Sequence, residues 1–76
     1  MNIREQLLDI LRDVCPDVDF EQETRLIDDG LLESLDIVSI VIGILDEFDI
    51  EITVDDIVPE NFNSVNDMIM LIEKKL

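Results

Sequence analysis

Ser34 follows a glycine turn and stands just before a long apolar run, in the segment Asp28-Asp29-Gly30-Leu31-Leu32-Glu33-Ser34-Leu35-Asp36-Ile37-Val38. A serine in that place has two readings. It is a favoured helix N-cap, which is a purely structural role. A hydroxyl at a helix N-terminus is also exposed, and a phosphodiester formed on it would sit at the positive end of the helix dipole. Other chemistry is harder to assemble. The chain has no histidine, so a Ser-His-Asp triad, a Cys-His pair and imidazole metal ligands are all excluded. With only Gly30 and Gly43 there is no phosphate-cradling loop, and without Trp or Tyr there is little to stack on a base or a sugar. No residue is assigned a catalytic role.

The acids raise one metal possibility. Asp49, Glu51, Thr53, Asp55 and Glu60 fall at positions 1, 3, 5, 7 and 12 of a calcium loop. Position 6 needs glycine for its sharp turn and holds Val54, a β-branched residue that resists positive φ, so no metal site is expected. Asp28-Asp29 reads as loop charge, since a chain this short offers no deep pocket for a glycosidase pair.

Twenty acids against five bases give a net charge of −15 over 76 residues. That charge repels phosphate backbones and anionic membranes, so nucleic acid and membrane insertion are not expected and partners should be basic. The longest apolar stretch, Ile37 to Leu45, is far short of the roughly 20 residues a span requires. Cys15 has no second cysteine to pair with, which suits a reducing, cytoplasmic setting. The first residues lack the apolar segment of a signal peptide.

Four elements would position the serine. Ile3, Leu7, Ile10, Leu11 and Val14 recur at helical spacing, with Asn2 and Glu5 as a capping pair and Cys15-Pro16 as the stop. A loop of about 18 residues, Pro16 to Glu33, carries Phe20, Leu26, Ile27, Leu31 and Leu32 to pin it to a core. Ser34 to Phe48 is apolar on two faces, Leu35, Val38, Ile42 and Leu45 on one and Ile37, Val41, Ile44 and Phe48 on the other, and so is expected to be central. Thr53 and Asp56 look like the cap of a short helix through Val58, closed by Pro59. Val65, Met68, Ile69, Ile72 and Leu76 form a last stripe, opened by Ser64 and ended by Lys74 and Lys75. The expected fold is therefore all-α: a four-helix bundle in one domain, residues 1–76, with three long helices, a short third and a long loop after the first.

Glu33-Ser34-Leu35-Asp36, followed by an apolar helix running to Asp46-Glu47-Phe48-Asp49-Ile50-Glu51-Ile52, resembles the acyl carrier protein family. Its attachment motif is Asp-Ser-Leu, then an acid and a helix ending in acids and Phe. The likeness covers nearly the whole chain, with Pro59-Glu60-Asn61-Phe62-Asn63-Ser64-Val65 similar to the family's approach to its last helix. The resemblance implies an acyl-carrier-like bundle in which a phosphopantetheinyl transferase moves 4′-phosphopantetheine from coenzyme A to Ser34. The arm's thiol, not Cys15, would hold an acyl thioester for fatty-acid, polyketide-like or specialised acyl metabolism, and the carrier would catalyse nothing. Glu33, Leu35, Asp36, Ile37, Asp46 and Glu47 would dock loading ligases and acyl-processing enzymes through their basic surfaces. Val38, Ile42, Ile57 and Ile69 are candidates for lining an acyl chain, and the protein is expected to act as a monomer. Glu33 replaces the usual Asp, and Ser39 and Leu45 stand where fatty-acid carriers have acids. The lead-in Asp29-Gly30-Leu31-Leu32-Glu33-Ser34 is closer to stand-alone carriers, including D-alanyl carriers. An aminoacyl or D-alanyl carrier loaded by an adenylating ligase is thus a second reading, and an acidic interaction module or nucleic-acid mimic is a third, from another class.

Overall fold

The computed structural model describes residues 2–76. Helix α1 is Ile3–Val14, α2 Ser34–Phe48, α3 Pro59–Phe62 and α4 Val65–Lys75, and a single 3₁₀ turn, Val54–Asp56, precedes α3. Among the described residues there is no strand, and the architecture is the expected all-helical bundle.

Local chemistry accounts for the long helices. Asn2 Oδ1 accepts the Glu5 amide at 3.2 Å, and Ser64 Oγ accepts that of Asp67 at 3.1 Å, each satisfying a donor that the first helical turn leaves free. Lys74 and Lys75 occupy the last turn of α4, where the dipole favours cations. At the far end of α2 the chain turns through Asp49 in the left-handed region (φ 53°), whose amide closes onto Leu45 O.

Pro59 corrects the sequence expectation. The Thr53–Asp56 cap exists, with the Thr53 amide donating to Asp56 Oδ2 at 3.0 Å, but it supports only one 3₁₀ turn. Pro59 then opens α3 instead of closing the element before it. Its fixed φ suits the first helical position, where its missing N–H is not needed.

The second correction concerns α2. Helix α1 packs against both α2 and α4, and α3 packs on α4, so α2 is not the central element. It buries Ile40, Val41, Ile44 and Phe48 and leaves Leu35, Val38 and Ile42 exposed. Gly43 lies where α2 meets α1. A Cβ built there would lie 2.6 Å from Ile10 Cγ2, so the two helices approach to a distance only glycine allows. Leu7, Leu11, Leu26, Ile40, Ile44, Phe62, Met68 and Ile72 form the solvent-free centre. Fully burying an aliphatic or aromatic side chain is worth about 1.5–3 kcal/mol, so this cluster is what holds the helices together.

Candidate functional site

The long loop reaches α2 as a braced turn. Phe20, Leu26 and Leu32 are buried and tie it to the core. The Leu26 carbonyl accepts the amides of both Leu31 (2.9 Å) and Leu32 (3.1 Å), closing a ring that Gly30 completes at φ +74°, a conformation that favours glycine. Asn63, between α3 and α4, clamps the ring from outside. Its Oδ1 accepts the amides of Ile27 (3.0 Å) and Asp28 (3.1 Å), its Nδ2 donates to Asp28 Oδ2 (3.2 Å), and its carbonyl accepts the Leu26 amide (2.8 Å). Sequence reasoning missed this residue. The available signal was an amide side chain directly before the Ser64 cap.

Ser34 is exposed, and it is the first helical residue of α2, not its cap. Glu33 takes the cap position, and its amide donates to Asp36 Oδ2 at 3.1 Å. With that donor already satisfied, no cap bond requires the serine. Among the described residues Ser34 Oγ has no hydrogen-bond partner, so the hydroxyl projects to solvent beside the α2 N-terminus. Covalent attachment of a long group there would meet no side-chain bond that must first break. Cys15, at the end of α1, is close to the same turn. Burial raises its thiol above the ordinary value, and the charges of Asp36, Asp17 and Glu33 raise it further. The thiol is therefore neutral near neutral pH and a poor nucleophile.

Of the expected docking residues, Glu33 and Leu35 are exposed at the start of α2 and Asp46 and Glu47 near its end, while Asp36 is half-buried in its bond to Glu33. Glu47 accepts a hydrogen bond from Gln6 Nε2 at 3.0 Å. Ile37 turns inward. It joins Ile27, Ile57, Val58, Pro59 and Phe62 around an apolar cavity of about 170 Å³ between α2 and α3. Among the expected lining residues only Ile57 borders this cavity. Val38 and Ile42 lie on the open face of α2, away from the buried Ile40, Val41, Ile44 and Phe48, and Ile69 packs on the edge of the core. Among the described residues no three acidic or thiol side chains converge as metal ligands, and no helix is long and apolar enough to cross a membrane.

No family model matches the chain. Curated relatives do. Proteins named D-alanyl carrier protein, from Bacillus cereus and from Bacillus anthracis, are each 30% identical over 73 residues, spanning 93% of this chain and 92% of theirs. The chain belongs to the carrier protein family. In this carrier the likeness runs through all four helices, so it includes the braced turn and the start of α2 as well as the core.

Proposed function

We propose that this protein is a cytoplasmic, non-catalytic carrier, one domain over residues 1–76, that holds an acyl-type cargo as a thioester on a 4′-phosphopantetheine arm attached to Ser34. The observation that carries this reading is an exposed, unbonded hydroxyl on the first residue of α2, within Glu33-Ser34-Leu35-Asp36. A phosphopantetheinyl transferase supplies the arm. Ser34 Oγ would form the new phosphodiester bond as the pyrophosphate of coenzyme A breaks and adenosine 3′,5′-bisphosphate leaves, with the serine proton passing to the transferase. When bound, the arm supplies a thiol that carries the cargo.

The chain's own residues orient and shelter. Asp36 fixes the first turn of α2 so that Ser34 Oγ points outward, and the loop ring clamped by Asn63 keeps the approach to it in place. The exposed stripe of Leu35, Val38 and Ile42, with Glu33 at one end and Asp46 and Glu47 at the other, meets an apolar socket rimmed by Lys and Arg on each partner enzyme. A tethered arm raises the effective concentration of cargo at each active site, which is what a carrier contributes to a pathway.

A second reading is supported by the names of the relatives: the cargo is D-alanine or another amino acid, loaded by an adenylating ligase. Ser34 serves both readings identically. The test is intact mass after incubation with coenzyme A and a broad-specificity phosphopantetheinyl transferase. A phosphopantetheine-sized gain in the wild type that is lost in Ser34→Ala supports the carrier reading. A folded wild type that gains nothing refutes it. Offering the loaded carrier D-alanine or a fatty acid with the matching ligase then separates the two cargoes.

A further inference from the structure

One wall of the apolar cavity is only lightly joined to the rest of the molecule. Thr53–Val58 makes its backbone hydrogen bonds within itself, Asp56 to Thr53, Ile57 to Val54 and Val58 to Asp56, and to the adjoining α3, whose Asn61 amide donates to the Val58 carbonyl at 3.0 Å. Its side-chain bonds are local too. Thr53 N and Oγ1 donate to Asp56 Oδ2 at 3.0 and 3.2 Å, and Asn61 Nδ2 donates to the Asp56 carbonyl at 2.9 Å. Apolar packing along the stretch is thin, with Val54 85% and Ile57 39% exposed. Among the described residues a single polar contact of long sequence separation ties it to the body. Lys75 Nζ, in the last turn of α4, lies 2.7 Å from Asp56 Oδ2.

That contact differs from the other ion pairs. Arg12–Glu21 and Arg25–Asp29 are 3.9 and 3.8 Å apart and largely open to water, where such pairs contribute little. Lys75 and Asp56 are mostly covered, at 28% and 21% exposure, and they meet at charge-assisted hydrogen-bond distance. Asp56 is also bound twice by Thr53, so the lysine grips the one side chain that organises the whole 3₁₀ turn. Ile57, Val58 and Pro59 follow it directly and form that side of the cavity.

We propose that the Lys75–Asp56 ion pair is a latch that holds Thr53–Val58 in place as one wall of the half-open apolar cavity and so limits the size of apolar cargo it admits. With the latch made, the cavity of about 170 Å³ has room for about six water-sized groups, enough for a short acyl chain. A longer chain needs the wall to swing out, which requires the latch to part. The cargo half of this inference rests on the carrier reading; the closure half does not.

Hydrogen exchange on the unmodified protein tests closure. In Lys75→Met and in Asp56→Asn, which keeps an acceptor for Thr53, the amides of Ile57 and Val58 exchange at least tenfold faster, while those of α1 and α2 are unchanged. The double variant is no faster than either single one, and Arg25→Met leaves these amides at the wild-type rate. Wild-type exchange at Ile57 and Val58 in both single variants overturns the latch, as does an equal acceleration across all helices. The second readout is the methyl resonances of Ile37 and Ile57 on the arm-loaded protein. Butyryl cargo shifts them in wild type and in Lys75→Met, and octanoyl cargo shifts them only in the variant. Equal response of wild type to both chains overturns the size limit. A wild type that gains no arm overturns the carrier reading instead, and the exchange rates, measured without the arm, keep that outcome distinct.

Discussion

Replacing Ser34 by alanine separates the proposed attachment role of this hydroxyl from a structural one. A serine that caps a helix loses about 1 kcal/mol on truncation to alanine. Ser34 is not in that position: it is the first helical residue, exposed and without a side-chain partner, and Glu33 with Asp36 supplies the cap. Truncation therefore removes no hydrogen bond. It exchanges a middling helix former for the best one, a gain of at most about 0.7 kcal/mol and less at the first turn. The expected change is zero to a few tenths of a kcal/mol in favour of the variant, about 2 °C at most for a domain this small. Asp36→Ala is the counterpart. It frees the Glu33 amide and is expected to cost about 1 kcal/mol, a fall of about 4–8 °C. Urea unfolding of the three proteins gives the stabilities, and intact mass after transferase treatment gives the modification. Ser34→Ala should match or exceed wild-type stability and accept no arm. A loss of 1 kcal/mol or more in Ser34→Ala, with Asp36→Ala unchanged, would return the capping role to the serine and refute the geometry.

Three further outcomes are expected. Gly43→Ala gains about 1 kcal/mol of helix propensity but drives a methyl to 2.6 Å from Ile10 Cγ2, an overpacking that costs about 1–3 kcal/mol, so thermal melting should show net loss, relieved by adding Ile10→Ala. Asn63→Ala leaves two loop amides without their acceptor and should cost about 2 kcal/mol, with faster exchange at Ile27 and Asp28 as the local signature; Asn63→Asp keeps the acceptor oxygen but sets a second carboxylate against Asp28, and should restore only part of it. Asp56 titrates below its ordinary 3.8, first because it bonds Lys75 and next because it accepts the Thr53 amide. A lowered carboxyl stabilises the fold above the unfolded value and loses that contribution as pH falls through the folded one, so the stability gap between wild type and Lys75→Met should be full above pH 3.8 and close below it.

The three long helices were legible because their ends are written in side chains. Asn2, Ser64 and the Asp36 carboxylate each meet an amide at the start of a helix, and the apolar stripes between the caps have one period. The burial of α2 was not legible from apolar counts, since Ile and Leu lie on both of its faces. Gly43 marks where α2 meets α1, through a closeness to Ile10 that only the packed pair of helices reveals. Pro59 misled because proline both ends one element and opens the next, and the short span between Thr53 and Pro59 suited either use. Ser34 was found by its neighbours in sequence. Its freedom from capping depends on Glu33 and Asp36 bonding to each other, a pairing that could equally have involved the serine. The cavity joins residues from the loop, α2 and α3, and no local pattern links Ile27 to Phe62.

The open stripe of Leu35, Val38 and Ile42 has a colloidal consequence. A domain of 76 residues that leaves three large aliphatic side chains uncovered on one helix would ordinarily adhere to its own copies. Here every collision between copies brings two bodies of charge −15 together, and the approach is resisted before the patches touch. The same greasy surface stays available to a basic partner, for which the long-range force has the opposite sign. Surplus acid is thus expected to keep the molecule dispersed, and that protection should vanish near its isoelectric point of 4.1, where the bare stripe would become a seed for precipitation.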